Sequence, residues 1–179
     1  MIFTCTQLAG ATIVDPEPRE DARGWFARIY CAHEFGAHGL PTYMVQANLS
    51  LTRRAGTVRG LHYQMAPHAE DKLVRCVRGA IWDVIVDLRP QSPTYCRWIG
   101  LELTEDNGRM LLVPKDFAHG FVTLTDDAAV SYLMSEYYMP AAACGAPHDD
   151  PAFGIRWPVP VLDMSENDRN WPDYVRQAR

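Results

Sequence analysis

The segment Tyr43 to Thr52, YMVQANLSLT, alternates apolar and polar side chains. Val45, Ala47, Leu49 and Leu51 fall on one face of an extended chain and Gln46, Asn48, Ser50 and Thr52 on the other, the two-residue period of a β-strand. Such a strand can rest on a core with its polar face in water, or wall a polar-lined cavity; alternation by itself favours the first. Further runs read as strands at Thr57 to His62, Lys72 to Arg78 (KLVRCVR, closed by Gly79), Arg109 to Val113 and Gly120 to Leu124. Ile81 to Leu88 is apolar on both faces apart from Asp83 and Asp87, and Ala128 to Met139 reads as one long strand. Arg89-Pro90, Ser92-Pro93, Asp106-Asn107-Gly108 and Asp126-Asp127 supply turns between them. Short strands at this spacing predict an all-β sandwich or barrel of the jelly-roll kind. Helices are expected only at the periphery, at Ala32 to Ala37 and at Ser165 to Asn170, where S-x-x-D resembles a capping box. No linker, repeat or low-complexity stretch divides residues 1–179, so a single domain is expected.

Charge and cysteine usage narrow the function classes. A formal net charge of -5 and a pI of about 5.6 argue against a nucleic-acid binder that works by bulk positive charge, though not against a local basic pocket for phosphate. The five cysteines are odd in number and contain no C-x-x-C, the usage of reduced thiols in a cytoplasmic protein. The N-terminal run MIFTCTQLAGATIV lacks a basic leader and is too short to span a bilayer, so no membrane association is expected.

The densest chemistry lies in Gly56 to Lys72, GTVRGLHYQMAPHAEDK, which gathers Arg59, His62, Gln64 and Lys72 at and beyond the end of a strand. A hydrogen on carbon next to a ketone is acidic because the anion spreads onto the carbonyl oxygen. Removing it and returning it on the other face requires a base, a positive or hydrogen-bonding group at that oxygen, and an acid opposite the base. His62 is the natural base, since imidazole titrates near neutrality. Each candidate also has a plain structural role. A lone histidine is often a satisfied core residue, Asp168 lies three residues after Ser165 and suits a helix cap, and tyrosines are common in strands. No metal is expected: His62 and His68 are separated by a loop-like stretch, His119 stands alone, and there is no H-x-H.

Taken together, DARGWF (Asp21 to Phe26), QANLS (Gln46 to Ser50), VRGLHYQ (Val58 to Gln64), KLVRCVRGAIWDVIVDLR (Lys72 to Arg89), SPT (Ser92 to Thr94), FAHGF (Phe117 to Phe121), YLMSEYY (Tyr132 to Tyr138), DDP (Asp149 to Pro151) and SENDRNWP (Ser165 to Pro172) resemble the dTDP-4-dehydrorhamnose 3,5-epimerase family. The likeness runs collinearly over nearly the whole chain. It implies a cupin-type jelly-roll barrel with short peripheral helices and a cofactor-independent epimerase of a nucleotide-diphospho-4-keto-6-deoxy sugar, acting at C3, C5 or both in deoxysugar and polysaccharide biosynthesis. It further implies His62 as base with Asp168 as its partner, Lys72 at the enolate oxygen and Tyr132 as acid. Arg23 and Arg59 would contact the diphosphate and Tyr138 the nucleotide base. Phe26, Gln46, Asn48 and His119 would line the substrate pocket, and Asp83 would support the histidine or the lysine from behind. Alternation places Tyr132, Met134, Glu136 and Tyr138 on one strand face. A homodimer is implied, with Arg23 or Phe26 reaching the neighbour's site.

Three positions depart from the family pattern. Arg28 stands where a glutamate usually contacts the nucleotide, Asn167 where a lysine usually reaches the phosphates, and Asp116 where a turn glycine is usual. Arg28 is the candidate to replace the charge missing at Asn167. Competing readings are a C3-only or C5-only epimerase on a non-thymidine nucleotide sugar, a sister enzyme that moves the ketone, a metal-dependent cupin, and a non-catalytic sugar-nucleotide binder.

Overall fold

Two antiparallel sheets face each other in the computed structural model, which describes residues 1–177. The larger runs in the order β1 (Ile2–Cys5), β2 (Thr12–Asp15), β10 (Met110–Val113), β7 (Lys72–Arg78), β12 (Ala128–Met134) and β5 (Gln46–Thr52). The smaller runs β13 (Ala143–Gly145), β6 (Val58–Gln64), β11 (Phe117–Thr123), β8 (Ala80–Asp87) and β9 (Trp98–Thr104). A separate hairpin pairs β3 (Arg19–Asp21) with β4 (Gly24–Phe26), and two short helices, α1 (Ala32–Ala37) and α2 (Glu166–Arg169), sit outside the sheets. This is the jelly roll anticipated from the strand pattern, of the cupin type that the family resemblance implied.

The core forms where inward side chains of both sheets meet. Val74 and Cys76 of β7 and Val130 of β12 pack with Ile81 and Ile85 of β8 and Phe121 of β11. Full burial of each such aliphatic or aromatic side chain stabilises by about 1.5–3 kcal/mol. β8 is covered on both faces, which is why its sequence does not alternate. Buried Asp87 closes the β8–β9 connection by accepting from Arg89, Ser92 and Thr94, so both of its oxygens are filled.

Several strand limits differ from expectation. β7 matches Lys72 to Arg78, but β12 stops at Met134, so Glu136 and Tyr138 lie beyond it and do not share a strand face with Tyr132. β11 begins at Phe117, three residues before the expected start at Gly120. β1, β2, β9 and the β3–β4 hairpin carried too little alternation to be read.

The orientation of β5 is the reverse of what alternation favours. Gln46, Asn48 and Ser50 face a cavity between the sheets, while Leu49 and Leu51 are 70% and 48% exposed. Pattern reports two faces but not which one is inside. Here the cavity is polar, so the inward face is polar. β5 is also the free edge of its sheet.

Two glycines bring β6 and β11 together beside that cavity. Gly60 has φ +120, and a Cβ there would lie 2.6 Å from Gly120 Cα and 2.8 Å from His119 O. A Cβ on Gly120 would lie 2.8 Å from Arg59 O. The β6–β11 register shifts between His119 and Phe121, at the same point. Asp116 takes φ 61, a left-handed conformation that aspartate tolerates better than most residues, so the turn survives without glycine.

Candidate active site

The cavity between the sheets measures about 960 Å³, and its walls come from β5, β6, β7, β11, β12 and β13 together with the segment that carries α2. His62, Lys72 and Tyr132 all line it. His62 stands on β6 in the smaller sheet, and Lys72 and Tyr132 stand on neighbouring strands of the larger one. Imidazole and phenol thus project from opposite walls.

His62 Nε2 lies 2.6 Å from Asp168 Oδ1. Asp168 Oδ2 accepts from Gly60 N at 3.4 Å, and Asp168 N donates to Ser165 Oγ at 3.1 Å. The cap and the dyad are therefore compatible: Ser165 starts α2, and the helical turn presents the Asp168 carboxylate to the imidazole. Burial pushes the Asp168 carboxyl up, but hydrogen bonding to His62, the charge of that ring and the Gly60 amide outweigh it and hold the group below its ordinary value. An ionised Asp168 fixes Nε2 as the protonated nitrogen and leaves Nδ1, unpartnered among the described residues, as the lone-pair site.

His119 repeats the arrangement. It is the direct cross-strand neighbour of His62, and its Nε2 lies 2.8 Å from Oδ1 of fully buried Asp83. Asp83 therefore supports His119, and neither His62 nor Lys72 as expected, because β8 pairs with β11 rather than with β6 or β7. Lys72 Nζ lies 3.0 Å from Glu70 Oε1 and donates to His62 O at 3.4 Å. Burial raises the Tyr132 phenol, and the nearby charge of Arg59 only partly offsets this.

The remaining candidates divide into two groups. Gln46, Asn48, Arg59, His119 and Tyr138 line the cavity. Asn48 Nδ2 donates to Met134 Sδ at 3.2 Å, and Gln46 Oε1 accepts from Tyr138 N at 2.8 Å. Arg59 Nε donates to Thr52 Oγ1 at 2.8 Å. Arg23, Phe26 and Arg28 do not reach the cavity of their own chain. Arg23 pairs with Asp21, Arg28 pairs with Glu34 of α1 at 3.2 Å, and Phe26 is exposed on the β3–β4 hairpin. Arg28 thus does not take the place of the missing lysine within one chain, although Asn167 itself lines the cavity. Gln64, grouped with the reactive residues by sequence, is occupied with backbone: it donates to His68 O and Tyr137 O and accepts from Met139 N.

Sequence reasoning passed over Glu70, Cys144 and Trp171, which also line the cavity. A signal existed for Glu70, which lies two residues before Lys72, the spacing that sets extended-chain side chains on one face. Trp171 falls inside the motif SENDRNWP, but nothing there gave it a role. Its indole packs over Gly145 and lies edge-on to His62, with ring centroids 6.4 Å apart.

Comparison with known proteins gives this geometry a family. The family model described as dTDP-4-dehydrorhamnose 3,5-epimerase matches residues 5–175. The chain belongs to this family. The dTDP-4-dehydrorhamnose 3,5-epimerase of Methanothermobacter thermautotrophicus is 44% identical over 172 residues, covering 94% of this chain and 92% of its own. The dTDP-4-dehydrorhamnose 3-epimerase of Streptomyces niveus is 40% identical over 164 residues, covering 91% and 79%. Among solved structures, the dTDP-4-dehydrorhamnose 3,5-epimerase of Bacillus anthracis with TDP and PPi bound superposes with a TM-score of 0.93 at 41% identity, over 97% of this chain and 99% of that one. Family membership makes the chain an epimerase-type isomerase of nucleotide-sugar metabolism.

Among the described residues no three His, Cys, Asp or Glu side chains cluster as metal ligands, and no helix is long and apolar enough to cross a membrane.

Proposed function

We propose that this single-domain chain epimerises a nucleotide-diphospho-4-keto-6-deoxyhexose at C3 and C5, using side chains to take the proton from carbon and to return one. The observation that carries this is the placement of the His62–Asp168 dyad and Tyr132 on opposite walls of one cavity that Lys72 also lines. His62 Nδ1 takes the proton from carbon beside the C4 ketone. The C–H electron pair moves into the carbonyl to give an enolate, and the Lys72 ammonium stabilises the oxygen. Tyr132 then delivers its proton to the opposite face of the carbon, inverting it. Solvent restores the phenol and takes the proton from the imidazolium. A fixed cation in a water-poor cavity stabilises a developing oxyanion far more than one in bulk water. The ketone itself is the electron sink, so the reaction calls for no cofactor.

Arg59, with His119 held by Asp83, suits the diphosphate end. The exposed β3–β4 hairpin and the apolar outer face of the edge strand β5 support a homodimer in which Arg23, Phe26 and Arg28 enter the neighbour's cavity. The chain is proposed to work in the cytoplasm. A C3-only reaction is the second reading, supported by the Streptomyces niveus relative, whose name specifies a 3-epimerase.

Incubation with thymidine- and other nucleoside-diphospho-4-keto-6-deoxyhexoses in deuterated water, read by NMR, tests both. Deuterium at C3 and C5 is expected. Deuterium at C3 alone selects the second reading, and no uptake with any donor rejects both.

A further inference from the structure

Glu70 and Asp87 are both buried carboxylates, but their surroundings differ. Asp87 has both oxygens filled by guanidinium and hydroxyl donors. The Glu70 side chain is 3% exposed, and it faces Lys72 Nζ at 3.0 Å through Oε1, while Oε2 has no hydrogen-bond partner among the described residues. A buried carboxylate with half its acceptors empty is costly for stability alone. Its place in the cavity wall points to a task at Lys72, whose own side chain is only 9% exposed.

We infer that Glu70 is a positioning residue that fixes the Lys72 ammonium through their ion pair and aims it at the ketone oxygen; this rests on the proposed role of Lys72. An ammonium has three N–H donors. The described residues offer Nζ two acceptors, Glu70 Oε1 at 3.0 Å and His62 O at 3.4 Å, which leaves one donor for a ligand oxygen. The other titratable or charged groups around the cavity are His62, Arg59 and Tyr63 on β6, His119 on β11 with Asp83 behind it, Tyr132 on β12, Tyr138 beyond it, Cys144 on β13, and Asp163 and Asp168 before and on α2. None of their carboxylates lies within ion-pair distance of Nζ, whereas Glu70 does. β10, the remaining neighbour of β7, brings Val113 opposite Lys72 and no charge.

Glu70→Gln keeps the shape and removes the charge. Its kcat is expected to fall about tenfold or more, while nucleoside-diphosphate affinity stays within about twofold. A purely packing role would lower thermal stability and move kcat and affinity together. A folded Glu70→Gln enzyme with native kcat overturns the inference. If that variant does not fold, Glu70→Asp, shorter by one methylene, is expected to lose kcat with affinity retained, and native kcat there also overturns it. Lys72→Met separates the two levels. Native turnover in Lys72→Met rejects the role of Lys72 and this inference with it. Lost turnover there beside a native Glu70→Gln rejects the role of Glu70 alone.

Discussion

His62 and His119 are direct cross-strand partners on β6 and β11. Each gives its Nε2 to a carboxylate buried behind it, Asp168 or Asp83. Gly60 and Gly120 let the two strands approach closely enough for this, because a side chain at either position would strike backbone of the other strand. One cavity wall therefore carries two oriented imidazoles.

The dyad sets the first prediction. Asp168→Asn keeps the helical turn but removes the charge that fixes the His62 tautomer and stabilises the imidazolium. kcat is expected to fall by about 10²–10⁴, with nucleoside-diphosphate affinity changed little. Steady-state kinetics paired with calorimetric titration of the diphosphate measures both.

Tyr132→Phe separates abstraction from return. His62 can still remove the proton and give a deuteron back on the same face. Isotope uptake in deuterated water is expected to continue while net inversion falls by about 10²-fold or more. Equal loss of uptake and inversion, followed by NMR over time, would deny Tyr132 the acid role.

Acid stability follows from Asp168. Its folded value is depressed, so the stability it contributes is fully present above the ordinary aspartate value of about 3.9 and is lost as pH falls through the lower folded value. The melting temperature of the native protein should drop across that acid window, and the drop should be shallower in Asp168→Asn. The Tyr132 phenol shifts the other way, so it keeps its proton beyond its ordinary value of about 10. Any alkaline loss of activity below pH about 10 should therefore persist unchanged in the residual exchange of Tyr132→Phe.

Gly145→Ala tests the indole beside the dyad. An added Cβ would lie 2.3–2.5 Å from three atoms of Trp171, which must then shift against His62. Overpacking of this kind costs about 1–3 kcal/mol, or roughly 2–10 °C in melting temperature for a chain of this size. Differential scanning calorimetry gives the shift. Turnover is expected to fall more than diphosphate affinity.

Leu49→Lys tests association through the β5 edge. Leu49 is 70% exposed in the single chain, and a charge there should leave the protein monomeric by sedimentation while the cavity-facing Gln46, Asn48 and Ser50 stay in place. An unaltered dimer would place the interface elsewhere.

Much of this was legible from the chain. The β7 run KLVRCVR showed its limits because Lys72 and Gly79 bracket an apolar stretch, and the S-x-x-D signal located α2. Family motifs singled out His62, Lys72, Tyr132 and Asp168. What escaped was relational. Alternation in β5 could not say that the polar face is inside, because that depends on what the opposite sheet leaves empty. Asp83 could be recognised as needing a partner, but naming His119 required the β8–β11 register. Trp171 has no periodic context and finds its place only through Gly145, a residue with no side chain to advertise the contact.

The inward polarity of β5 has a bearing on how the protein endures dilution. The same backbone offers amides and carbonyls for pairing at its rim, leucines to the outside and amide side chains to the guest. In the proposed homodimer, separation of subunits would uncover this rim and loosen the cavity wall behind it. Specific activity should decline together with molecular mass as concentration is lowered, and a tightly held nucleotide should delay both.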